Sequence, residues 1–257
     1  MKILTYGLAL GALLLASRTL HAQEYKIDVS SVKDAQLFLE DINGDLPIEG
    51  YSGNEIVITT EGMGETPERA KGLKAVFPGG DDNTGIGLSV TKDGGHIFVH
   101  GVLPFNRDAN YKIKVPSNLR LTVKRGCERS SAVIISNMTN EVDVDNCHDI
   151  TLKNVTGPLV LSTIAGDIKV AFAQVSKDKP ISIASISGEI DVTLPASAPI
   201  NLEMSTMSGG MYTDFDLKQA SKDMQKVGGG SVKANLNGGG VDFKITDISG
   251  NIYLRKG

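Results

Sequence analysis

The chain has 257 residues, 26 Lys+Arg against 30 Asp+Glu, and a formal charge of −4. That balance argues against nucleic acid or an anionic membrane as a generic partner, because both select basic surfaces. With no Trp, 5% aromatic residues and 29 Gly, the core is expected to be thin and packed by Ile, Val and Leu.

In chain order, Lys2, the apolar run of residues 8–16 and the small-residue site Leu20-His21-Ala22 have the organisation of a secretory signal peptide. The run is too short to span a bilayer comfortably. Residues 1–22 are therefore expected to be removed, leaving one domain over 23–257, with 24 basic against 30 acidic residues. No cysteine adjoins the cleavage site to take a lipid anchor, and no later stretch is apolar enough for a span.

Tyr25, Ile27 and Val29 alternate as a strand does. Leu37, Leu39, Ile42, Gly44, Leu46 and Ile48 give the first copy of a phrase that recurs along the chain. Another strand covers 56–60, and Pro67 predicts one short helical turn within 66–72. Residues 78–85 read as a loop, 88–100 as a hairpin turning at Lys92-Asp93-Gly94-Gly95, and 111–115 as a strand stopped by Pro116.

From Leu119 the phrase dominates, most clearly in residues 159–194. Two apolar residues alternate, the parity slips by one, and a second run follows around a glycine. The slip falls at Leu39/Ile42, Leu152/Val155, Leu161/Ile164, Ile183/Ile186, Met204/Met207 and Ile245/Ile248. Gly44, Gly157, Gly166, Gly188, Gly209 and Gly250 each follow two residues later. A strand has period two, so the slip predicts a corner that keeps both runs facing inward. Gly166 to Gly188 is 22 residues, Gly188 to Gly209 is 21, and Gly209 to Gly250 is 41, nearly two further steps. Gly157, only 9 residues before Gly166, is expected on the next side of the same coil. A fixed period with short strands, corners and no intervening helices predicts an all-β parallel solenoid with coils of about 20–22 residues. Residues 214–227 interrupt it as a short helical insertion. A β-sandwich is the competing architecture.

Cys127 and Cys147 are the only cysteines, 20 residues apart. They pair or remain buried thiols. In a parallel solenoid, residues one coil apart fall about 4.8 Å from each other, within disulfide reach, which favours the pair.

Three passages carry a family resemblance: residues 38–50, 186–195 and 237–252. They resemble the bacterial putative-adhesin family, exported β-strand-repeat proteins of unknown function related to head-domain, auto-transporter-type adhesins. The resemblance implies a right-handed β-helix-like solenoid and specifies no site.

Asp167 and Glu189 follow the repeat glycine one period apart, with Asp45 in an earlier copy. Stacked coils would bring them together as a cation site, a catalytic pair or, most simply, a wet turn edge. Asp143, Asp145 and Asp149 form a second acidic group, and Asp81-Asp82-Asn83-Thr84-Gly85 offers oxygens without the full EF-hand spacing. His96, His100 and His148 form no zinc motif, and neither G-x-S-x-G nor a phosphate-binding loop occurs. No catalytic residue, cofactor or metal is assigned. The sequence points to a non-enzymatic exported envelope protein in the periplasm, on the surface or secreted, an adhesin or scaffold for a protein or glycan ligand. The alternatives are a polysaccharide lyase or hydrolase on a β-helix and a periplasmic partner of a membrane signalling system.

Overall fold

A computed structural model describes residues 23–61, 63, 67–177, 179–217 and 229–257. The signal-peptide expectation and most of the 214–227 insertion, with the helical structure expected of it, lie outside the described residues.

Strand β1 (Gln23–Asp28) is followed by β2 (Gln36–Glu40), β3 (Gly44–Tyr51) and β4 (Glu55–Thr60). A single 3-10 turn, Glu68–Ala70, comes directly after Pro67. Then come β5 (Leu88–Asp93), β6 (His96–Gly101), β7 (Lys112–Pro116), β8 (Arg120–Lys124) and β9 (Ser130–Ser136). The middle of the chain gives β10 (Val142–Asn146), β11 (Ile150–Val155), β12 (Leu159–Thr163), β13 (Ile168–Phe172), β14 (Ile181–Ser187) and β15 (Ile190–Leu194). It closes with β16 (Ile200–Ser208), β17 (Met211–Thr213), β18 (Gly230–Leu236), β19 (Val241–Ser249) and β20 (Ile252–Lys256).

These strands form two long sheets of ten. The chain alternates between them, so β2/β3, β6/β7, β8/β9, β10/β11, β12/β13, β14/β15, β16/β17 and β19/β20 are two-strand rungs, stacked by parallel pairing. Parallel pairing needs a crossover, and here the opposite sheet supplies it. Through the middle, partners such as Leu121, Val142, Leu159 and then Val160 with Ser182 are offset by 21, 17 and 22 residues. In the other sheet the offsets are 17, 18 and 22. Inward residues of both sheets, including Leu37, Ile113, Val144, Leu161, Ile183 and Ile245, make one apolar cluster.

Rung order departs from chain order at both ends. β2/β3 lies between β6/β7 and β8/β9, and β19/β20 lies between β14/β15 and β16/β17. This corrects the reading of the glycine intervals. Gly209 does not follow Gly188: β16 takes β19 as its parallel neighbour, Met204 opposite Ile245, and Ile245 sits opposite Ile183. The interval of 41 is a single step between neighbours.

The inward slip is also corrected. Ile42 and Val155 are fully buried, but Ile164, Ile186, Met207 and Ile248 are 42–72% exposed. The residue before each of these, Thr163, Ser185, Thr206 or Asp247, takes the inward position instead. Strand parity runs on through this polar residue, and the corner comes beyond it. Thr163 donates to His148 O across the corner at 2.8 Å, which offsets the cost of burying its hydroxyl.

Candidate functional site

At the corner from the first sheet of each rung to the second, Gly166, Gly188, Gly250 and Gly209 form one column. A Cβ on Gly188 would strike the Gly166 carbonyl, one on Gly250 the Gly188 carbonyl, and one on Gly209 the Gly250 carbonyl. Glycine is required because backbone stacks on backbone here. Gly44 turns the corresponding corner of its rung at φ +76, and Gly157 lies on the opposite corner against Asn140 O.

The acidic residues beside this column serve the backbone. Asp149 accepts the N–H of Asp167, and Asp167 in turn accepts the N–H of Glu189, both at 2.9 Å. Asn251 continues the pattern, accepting from Gly210 N and donating to Glu189. Asp45 accepts from Ala132 N. Each carboxylate thus ties one rung to the next. Among the described residues, no group of three or more His, Cys, Asp or Glu is placed to hold a metal ion. Asp82, central to the 78–85 loop, accepts from Thr84 N, Thr84 Oγ1, Gly85 N and Gly87 N, which leaves it shaping its own loop.

Cys127 and Cys147 are bonded, with Cα atoms 5.0 Å apart, and join the corners of neighbouring rungs. The corner between β8 and β9, next to the disulfide, carries two arginines. Arg125 is buried and donates to Gly44 O and Arg129 O, and burial lowers its guanidinium to about 10. Arg129 reaches Asn43 Oδ1 at 3.1 Å and Leu103 O at 2.8 Å.

An outward aromatic surface lies on the sheet containing β5, β6, β2 and β8. Register places Asp93, His96, Gln36 and Arg120 in one rank across these strands. The next rank is Thr91, Phe98, Phe38 and Thr122, and the third is Ser89, His100, Glu40 and Lys124. The Phe38 and Phe98 rings stack at 4.7 Å and 17°, with the His96 ring edge-on to Phe38 at 5.6 Å. Gln36 Nε2 donates to Thr122 Oγ1 at 3.1 Å and helps to bury that threonine. On the adjoining β10, burial holds the Asp143 carboxyl above its ordinary value; Asp145 and Glu141 add to this and Lys124 opposes it.

Arg120, at one end of the first rank, also lines a groove of about 720 Å³ at the corner where the chain enters this sheet. Ser30, Asp34, Asn54, Asn118, Arg120 and Asn140 are among its lining residues. Arg120 Nη2 donates to Asp34 O at 2.8 Å, and Asn140 Nδ2 donates to Asn118 O at 2.8 Å. Sequence patterning passed over this site. Its one signal was the apolar residue at an outward position in Leu37-Phe38-Leu39 and again in Ile97-Phe98-Val99.

Residues 9–255 match the Toastrack DUF4097 family, and the chain belongs to it. The resemblance carried by the repeat passages is thereby borne out. A putative cell adhesion protein from Clostridium sporogenes is similar in structure, at 12% identity and a TM-score of 0.48, over 92% of this chain and 99% of its own. A putative adhesin from Bacteroides fragilis is similar at 12% identity and a TM-score of 0.39, over 93% and 98%. No curated protein matches the chain. Among the described residues, no helix is long and apolar enough to cross a membrane.

Proposed function

We propose that the protein is an exported cell-envelope adhesin or scaffold that works by binding rather than by catalysis. In this reading residues 1–22 direct export, and 23–257 fold as one right-handed parallel β-solenoid in the periplasm, on the surface or in the medium. The observation that carries it is the stack of rungs. Outward side chains recur at strand spacing along both sheets, which gives a rigid extended face rather than an enclosed reaction chamber. The Cys127–Cys147 bond supports export, since disulfides persist in oxidising compartments. The adhesin names of the two structural neighbours accord with it.

The test has two parts. Mass analysis of protein from fractionated cells should find a mature chain beginning at Gln23 outside the cytoplasm. Purified mature protein should bind whole envelopes saturably without releasing soluble products. A full-length cytoplasmic chain would sink the export reading, and released products would replace adhesion with catalysis.

A further inference from the structure

We propose that the corner groove and the aromatic rank beside it form a binding site for a neutral saccharide. This rests on the adhesive reading and names its ligand. The groove is lined by Ser30, Asp34, Asn54, Asn118, Arg120 and Asn140. Side-chain amides and hydroxyls both donate and accept hydrogen bonds. Asn54 and Asn118 are exposed lining residues whose side-chain amides hold no hydrogen bond to another described residue, which leaves them open to a ligand. A ligand that also donates and accepts at every group matches them one for one, and a chain of sugar hydroxyls does so.

Charge narrows the class. The groove holds one carboxylate, Asp34, and one guanidinium, Arg120, and the ranks beside it mix Asp93 and Glu40 with Lys124. An anionic ligand meets the three acids, and a cationic one meets Arg120 and Lys124. An apolar ligand would strand the amides without partners. An extended peptide needs a free strand edge for its backbone, and the groove sits at a corner. The edge strand of this sheet, β5, is already engaged: Asn83 accepts from Val90 N and donates to Val90 O, and Thr84 donates to Leu88 O.

The aromatic rank supplies the remaining element. The chain has no Trp, but Phe38 and Phe98 form a half-exposed apolar patch one rank beyond Gln36 and His96. A sugar seated in the groove and extending over the sheet lays its C–H face on that patch.

Calorimetric titration of the mature chain with neutral hexose and N-acetylhexosamine oligosaccharides tests the site, with sialylated oligosaccharides and acidic and basic peptides run in parallel. Saturable binding confined to neutral sugars is expected, weakened roughly tenfold by Asn118→Ala and again by Phe38→Ala. Asn118 is exposed, so its variant stays informative if Phe38→Ala misfolds; Lys233→Ala, on the far strand β18, should bind as wild type. No neutral-sugar binding, or binding indifferent to Asn118→Ala, overturns the assignment. Envelope or peptide binding without sugar binding does the same and leaves the adhesive reading standing. Sugar binding by a chain retained in the cytoplasm would preserve the site and remove the adhesin.

Discussion

The two ends of the stack make the same topological exchange and close it by different means. At the β6/β7 end the first rung in sequence lies second in space; at the β16/β17 end the last rung does. Beyond β6/β7, one sheet is extended by the antiparallel strand β5 and the other by β4 and β1. Polar side chains then seal β5, through Asn83, Thr84 and the loop that Asp82 shapes. Beyond β16/β17, one antiparallel strand, β18, covers one sheet. The other sheet stops at three-residue β17, where Phe215 is buried and Asp214 accepts from Lys256 N. An open sheet edge is a template for pairing with another chain. The contrast teaches that polar cross-links seal the β5 edge at one end, whereas a strand and an apolar plug close the other.

The largest test of this contrast truncates one core aromatic at each end. Tyr111 is 1% exposed and donates to Ile86 O, and Phe243, also 1% exposed, packs edge-on against Phe172 at 5.7 Å. Tyr111→Ala and Phe243→Ala should each cost roughly 3–5 kcal/mol in chemical denaturation. In hydrogen exchange, each should loosen its own end first, because rungs contact only their neighbours. Equal loss of protection at both ends in either variant would break the comparison.

Cys127 and Cys147 fasten rungs well inside the stack. Replacing both by Ser should cost about 2–4 kcal/mol and leave the difference between the ends intact. Smaller again is Asp82→Ala, which leaves Thr84, Gly85 and Gly87 without their shared acceptor. A loss of about 1–3 kcal/mol confined to β5 and its loop is expected, read by thermal melting and exchange.

The subtlest effect concerns Asp247, the buried corner residue of the exchanged rung at the β16/β17 end. Burial raises its carboxyl above the ordinary 3.8, although Ser249 N donates to it at 3.0 Å. A raised folded value means that the neutral form suits the fold. Its stabilisation is fully present below 3.8 and is lost as pH rises through the folded value. Asp247→Asn should therefore melt about 2–4 °C higher than wild type at neutral pH, with the gain closing in acid. A gain that does not vary with pH would assign the effect to packing.

The alternation of Leu37/Leu39, Leu159/Leu161 and Ile181/Ile183 made the strands and their inward faces legible, because a half-buried strand imposes period two on any sequence. The neighbour each rung takes was not legible. Every rung offers the same apolar stripe and the same backbone ladder, so nothing in Met204 or Ile245 records that they meet. Ile164 and Ile186 misled for a related reason. A buried threonine holding a hydrogen bond across the corner, like Thr163, or a buried serine in the same place, like Ser185, looks in sequence like the polar tip of a turn. The outward Phe38 and Phe98 were hidden between inward neighbours and become a surface only when β2 and β6 are brought side by side.

The rung built from β19 and β20 has a consequence for how a chain emerging from its N-terminus completes itself. β14 and β16 lie close in sequence but touch only through β19, which arrives after both. Until residues 241–256 appear, β14 lacks its native neighbour on that side, and the one native partner β16 can take is β18. The final segment then enters sideways as a keystone, with pairing demanded on both flanks at once. A chain shortened before residue 241 would lose more than its last rung, because the rung synthesised before it would lose its native parallel neighbour.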